Sequence, residues 1–221
     1  MCGRFTIAKS KSHVLEYLKK HFAIEKVEGL HLPRYNVGPG QDILAVIYDG
    51  DHYRAGTIPW DYKVKYKGRF KQVINARSES VDEKYAFKNA FRNQRCLILS
   101  DGFYEWDQLT KRPYRFVLKN NDLYFYAGIY DRFQIEDKLV FGSLILTTDA
   151  NDVVSEHHSR MPVILNIDQA KAFLRKDLEI DQIKALLQPA LAKEILSYPV
   201  DKSVNKMSHD SSELIKKTTN H

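Results

Sequence analysis

Only two of the 221 residues are cysteines, at positions 2 and 96, so the chain can build neither a disulfide framework nor a multi-thiolate zinc site. The eight histidines show no HExxH-like spacing, and neither a metal nor a cofactor is expected. Apolar runs fall well short of the roughly 20 residues that span a membrane, and the N-terminus has no signal-peptide core. The expected setting is therefore cytoplasmic, with no membrane partner. Internal repeats, low-complexity linkers and domain-boundary signals are also missing. Acidic residues are the scarcer charge, 28 against 34 Lys and Arg, and the formal charge of +6 is compatible with a polyanionic partner.

Aromatic residues are well represented, with 13 Tyr and 11 Phe, which favours strands. The sequence predicts an α+β fold: a single domain with a mainly antiparallel β core, barrel-like or a strongly curved sheet, flanked by short helices. That domain should span 1–209, and 210–221 is polar enough to fray as a C-terminal tail.

Cys2 becomes the amino terminus once Met1 is removed. It then carries an α-amine with a reference pKa of about 8 beside a thiol of about 8.5. At pH 7.5 about a quarter of such an amine is neutral, against about 0.1% of a lysine, which suits it to attack on an aldehyde. The thiol can close on the resulting imine to give a thiazolidine ring. An internal cysteine, with its nitrogen in a peptide bond, cannot do this.

In chain order, 4–7 reads as a strand, and Ser10 or Ser12 can cap a helix with Val14, Leu15, Leu18 and Phe22 at helical spacing. Asp49-Gly50 is a hairpin turn between strands at 43–48 and 52–58. Residues 63–71 interleave cations with aromatics, a pattern suited to tracking a phosphate backbone or to a solvated loop. A helix is expected over 82–92 with Tyr85, Phe87, Ala90 and Phe91 mostly inward. Strands are expected at 96–99, 114–118, 123–130, 139–147 and 163–165, and further helices at 168–175 and 181–187. Glu105 is flanked by aromatics in Phe103-Tyr104-Glu105-Trp106, surroundings that raise a carboxyl pKa toward the range of neutral acid/base chemistry. Pro162 disfavours helix before it, so His157-His158 should lie on a turn.

Taken together, Cys2-Gly3-Arg4-Phe5, Arg34-Tyr35-Asn36, Asn75-Ala76-Arg77-Ser78-Glu79, Asp101-Gly102-Phe103-Tyr104-Glu105-Trp106 and His158-Ser159-Arg160-Met161-Pro162 resemble, in order, the signature of the SOS response-associated peptidase family. The resemblance implies a protein that crosslinks covalently to abasic sites in single-stranded DNA through a thiazolidine, and that associates with the nucleoid when it acts. Cys2 would be the nucleophile, Asn75 would orient it or the sugar, Glu105 would open the sugar as general acid/base, and His158 would assist proton transfer. Arg4, Asn36, Trp60, Arg77 and Arg160 would lie at the DNA, and the protein would act as a monomer. The chain departs from the family at Ala55, where a tryptophan is usual, and the next tryptophan is shifted to Trp60. It departs again at Leu99-Ser100, in place of Pro-Ala, and at Tyr130, in place of Trp. The last two read as packing changes.

Two other functions fit part of the pattern. One is a cysteine hydrolase pairing Cys2 with His158, acting if only to remove Met1; the other is a non-covalent single-strand-binding module using 63–71. An imine that lost its β-phosphate before ring closure would make the same site lyase-like.

Overall fold

The computed structural model describes residues 2–218. The chain runs through β1 (Arg4–Ile7), α1 (Lys11–Phe22), β2 (Arg34–Val37), β3 (Asp42–Tyr48), β4 (Tyr53–Pro59), β5 (Tyr62–Tyr66), β6 (Arg69–Val73), β7 (Asn75–Arg77), α2 (Lys88–Asn93) and β8 (Arg95–Ser100). There follow β9 (Gly102–Trp106), β10 (Pro113–Leu118), β11 (Tyr124–Ile135), β12 (Lys138–Asp149), α3 (Asp152–Ser155), β13 (Arg160–Pro162), β14 (Ile164–Leu165), α4 (Ile167–Leu174), α5 (Ile180–Ala185) and β15 (Ile195–Pro199).

The strands form two open, mostly antiparallel sheets and a separate hairpin. One sheet has the order β15-β10-β9-β1-β2. The other has β13-β12-β11-β8-β3-β4, with β14 against β11 and β7 parallel to β12. The larger sheet curves strongly without closing into a barrel. Where it curls, the Ser143 hydroxyl donates to the Pro59 carbonyl at 2.9 Å, joining β12 to the end of β4. Gly142 makes that approach possible, because a Cβ there would lie 2.2 Å from the Asp61 carbonyl oxygen.

The chain crosses from one sheet to the other between β8 and β9, at Asp101. Its buried carboxylate accepts hydrogen bonds from the Thr6 hydroxyl, the Ala8 amide and Arg115 at 2.5, 2.7 and 3.3 Å. A buried charge held this way is compensated by paired donors and cannot be moved without leaving one of them stranded. Phe5 joins the sheets in the core, packing on Trp60 and Tyr126 with ring centroids 5.4 and 5.7 Å apart. Ser100, read as a packing change, is also polar glue: its hydroxyl lies 2.9 Å from Tyr126 Oη and accepts the Gly102 N–H.

Several expectations need correction. Within 82–92 the α-helix begins only at Lys88, as α2 (Lys88–Asn93), and Tyr85 is 90% exposed. The Asp82 carboxylate, which could have capped a longer helix, is instead taken by the Lys184 ammonium at 2.9 and 3.0 Å. Residues 63–71 are a β-hairpin, not an irregular loop. Lys67 and Gly68 both adopt positive φ, as a two-residue turn matching the strand twist requires. The segment from Asp210 to Thr218 does not fray. Asp210 accepts the Tyr35 N–H at 2.5 Å, Leu214 is fully buried with Tyr104, Val200 and Val204, and the Thr218 N–H donates to Pro199. The remainder of the expected tail, 219–221, and Met1 lie outside the described residues.

Candidate active site

Cys2 lies just before β1 and is completely buried. Asn75, the first residue of β7, clamps it by donating Nδ2–H to the Cys2 carbonyl at 2.9 Å. The other amide atom, Asn75 Oδ1, is buried with no partner among the described residues. A buried acceptor left open is costly, about 1–3 kcal/mol, and so marks a place where a donor can be received.

Antiparallel register brings Glu105 to the same place. β9 lies beside β1 with Tyr104 opposite Arg4, and on its other side Glu105 faces Tyr114 of β10. Glu105 is only 3% exposed, and burial pushes its carboxyl from an ordinary 4.5 up to about 7. Burial also pushes the Cys2 thiol up, and the charge of Glu105 adds to that rise, so carboxylate and thiol act on one another.

His158 stands on the expected turn, between α3 and β13. Its neighbour His157 fixes that turn: the ring stacks on Tyr114 with centroids 3.9 Å apart and faces Asp107 at 3.3 Å. Because Tyr114 is the cross-strand neighbour of Glu105, this stack docks the histidine turn beside β9. In the neutral ring His158 Nδ1 lies 3.0 Å from the Arg160 backbone N–H and 3.2 Å from the Arg160 carbonyl, so either tautomer finds a backbone partner there. Partial burial pulls the imidazole below its ordinary value, favouring that neutral form.

The five residues expected at DNA are placed very differently. Arg77 ends β7 and is exposed, and its side chain makes no hydrogen bond or ion pair among the described residues. Arg4 is half-buried and donates to Asn36 Oδ1 and to the Val204 and Asn205 carbonyls. Asn36 is 1% exposed and spends its Nδ2 protons on the Val204, Lys206 and His209 carbonyls, so its work is to hold the C-terminal segment. Arg160 is clamped by Glu79 at 2.7 and 2.9 Å and by Asp149 at 2.6 Å. Trp60 cannot stack on a base: it is wholly buried against Phe5 and donates Nε1–H to the Ile74 carbonyl at 2.8 Å.

Sequence reasoning missed the supporting residues Tyr114, His157 and Glu79. Glu79 stood in a quoted motif without a role. The Tyr114–His157 stack joins residues far apart in sequence and leaves no local signal.

Residues 1–207 match the family model described as SOS response associated peptidase (SRAP). Among curated proteins, the chain is 37% identical over 230 residues to abasic site processing protein YoqW of Bacillus subtilis (strain 168), with 97% of this chain and 99% of that protein covered. It is 24% identical to abasic site processing protein YedK of Escherichia coli (strain K12), covering 97% and 99%. Among solved structures, a crystal structure of a Bacteroides thetaiotaomicron protein superposes with a TM-score of 0.80 at 20% identity, covering 99% of this chain and all of that one, which is a likeness of fold. The matched length, together with the buried Cys2 clamped by Asn75 beside Glu105, means that the chain belongs to the SOS response associated peptidase (SRAP) family.

Proposed function

We propose that this chain processes abasic sites in single-stranded DNA by forming a thiazolidine crosslink through Cys2, shielding the lesion during the DNA damage response. The observation that carries the reading is Glu105, a buried carboxyl titrating near neutrality beside the Cys2 thiol. The names of the relatives support extending abasic-site processing to this chain.

The geometry suggests an order of events. Glu105, with comparable protonated and ionised populations at pH 7, can move the proton that opens the closed sugar to its aldehyde. The α-amine of Cys2, exposed by removal of Met1, then attacks the aldehyde carbon, and loss of water gives the imine. Neutral His158 can carry protons between the departing water and solvent. The thiol adds last: sulfur bonds to the imine carbon, the C=N π electrons pass to nitrogen, and the thiol proton ends on that nitrogen. A thiol held protonated by burial suits this amine-first sequence. Asn75 holds the Cys2 backbone, and its open Oδ1 can accept a hydrogen bond from the amine or a sugar hydroxyl. Arg77 would contact a phosphate beside the lesion.

The hydrolase reading is weaker. A catalytic Cys–His pair needs a lowered thiol pKa beside a protonated imidazole, whereas burial here pushes Cys2 up and His158 down. A lyase outcome remains a branch of the same imine.

Cys2→Ser is the test, using an oligonucleotide with one abasic site. The serine variant should lose the heat-stable crosslink yet still yield an adduct trapped by borohydride. A heat-stable crosslink from that variant without reductant would overturn the thiazolidine.

A further inference from the structure

The chemistry above leaves the β5–β6 hairpin unused. No acidic residue occurs from Tyr62 to Val73, and five cations fall within residues 63–71. Lys63 is neutralised locally by Asp61 at 2.7 Å. Lys65, Lys67, Arg69 and Lys71 have no ion-pair partner among the described residues. Tyr66 is 53% exposed and Phe70 38%, and the Lys67 and Lys71 ammoniums lie 5.6 and 4.6 Å from the Tyr66 ring centroid. In the ladder Tyr66 faces Arg69 and Lys65 faces Phe70, so near the turn each face of the hairpin carries a ring beside a cation.

Both ends of the hairpin are rooted at the candidate active site. β5 begins two residues after Trp60, which packs on Phe5, and β6 ends two residues before Asn75, which holds Cys2. The base of β6 borders a loop that leads to Arg4. Gln72 lies 4.0 Å from where a Cβ of Gly40 would stand, and Arg4 Nε lies 3.1 Å from where a Cβ of Gly38 would stand. Each strand has five residues, so the arm reaches about 16 Å out from that base.

We propose that the β5–β6 hairpin is a guiding arm for the single strand flanking the lesion, its free cations neutralising phosphates and Tyr66 stacking on a base. This rests on the abasic-site reading, and it assigns the arm a task separate from the covalent chemistry. A polyanion with flat, stackable faces matches the pairing of cation and ring better than a purely charged surface does.

The experiment compares the full chain with a variant carrying Lys65→Gln, Lys67→Gln, Arg69→Gln and Lys71→Gln, all at exposed positions. Binding is measured on an undamaged single-stranded oligonucleotide from 50 to 200 mM salt, and crosslinking on an abasic one at saturating DNA. Four lost phosphate contacts should flatten the log–log salt slope by about 2.8, narrowing the affinity gap between the two proteins about 50-fold across that range. Tyr66→Ala should weaken binding about 5-fold or more at every salt concentration without changing the slope. Saturated crosslinking rate and melting temperature should match the unmodified chain. An unchanged slope and affinity would overturn the arm and point to another partner, such as an anionic lipid surface. Loss of crosslinking at saturating DNA would overturn it too, by making the hairpin part of the chemistry. Failure of the unmodified chain to crosslink would refute the preceding reading instead, while the salt slope still tests the arm.

Discussion

Replacing Glu105 with Gln gives the most quantitative check on the candidate active site, since burial that tunes the carboxyl also ties stability to pH. A carboxyl at about 7 in the folded chain against 4.5 unfolded binds its proton more tightly when folded. Its protonated form therefore favours folding fully below pH 4.5, and that contribution is lost as pH rises through 7. Between pH 5 and pH 8 the unfolded chain gains more from ionisation than the folded one, and the difference integrates to about 2.5 kcal/mol. Glu105→Gln has no proton to lose, so its stability should exceed that of the unmodified chain by about this much more at pH 8 than at pH 5. For a chain of this size, that is a relative shift of about 5–10 °C in melting temperature. Urea unfolding or calorimetry of both proteins at the two pH values measures it, and taking the difference cancels other titrating groups. The variant should also crosslink about 10²- to 10⁴-fold more slowly while binding intact DNA as before. Parallel stability profiles for the two proteins would refute the burial argument, and with it the proposed acid/base role.

Other perturbations separate the residues that hold the fold from those that meet DNA. Arg77→Ala should flatten the salt slope of single-strand binding by about 0.7, one phosphate contact, without loss of stability; an unchanged slope removes Arg77 from the interface. Trp60→Ala should cost about 3–5 kcal/mol in urea unfolding, as expected for a wholly buried ring, and leave that slope alone. Full stability with weakened DNA binding would return Trp60 to the DNA surface. Leu214→Ala should cost about 2–5 kcal/mol, because the side chain is fully enclosed by Tyr104 and Val204, and an undisturbed unfolding curve would show that the C-terminal segment is not part of the cooperative unit.

Local pattern was enough to reveal much of the framework. Short apolar and aromatic runs marked β3, β8, β10, β11 and β12, and helical spacing after Ser10 marked α1, because each signal is carried by neighbours in sequence. Cys2 and Glu105, the residues proposed as nucleophile and acid/base, also stood out: a cysteine freed at the amino terminus would have chemistry that no fold confers, and a carboxyl set among aromatics implies the burial that Glu105 shows. Strands with little apolar contrast were missed. The β5–β6 hairpin turns on Lys67-Gly68, and β15 is recognisable only through its pairing with β10. Tertiary structure alone decided which conspicuous polar residues face solvent. Arg4, Asn36 and Arg160 look in sequence like the exposed Arg77, yet the chain folds carbonyls and carboxylates around all three, and a buried donor must be satisfied wherever its partners lie in sequence. The same rule turned a polar C-terminal segment into a docked one: Asn36 and Arg4 donate to backbone carbonyls between residues 204 and 209, and that closure carries Leu214 into the core.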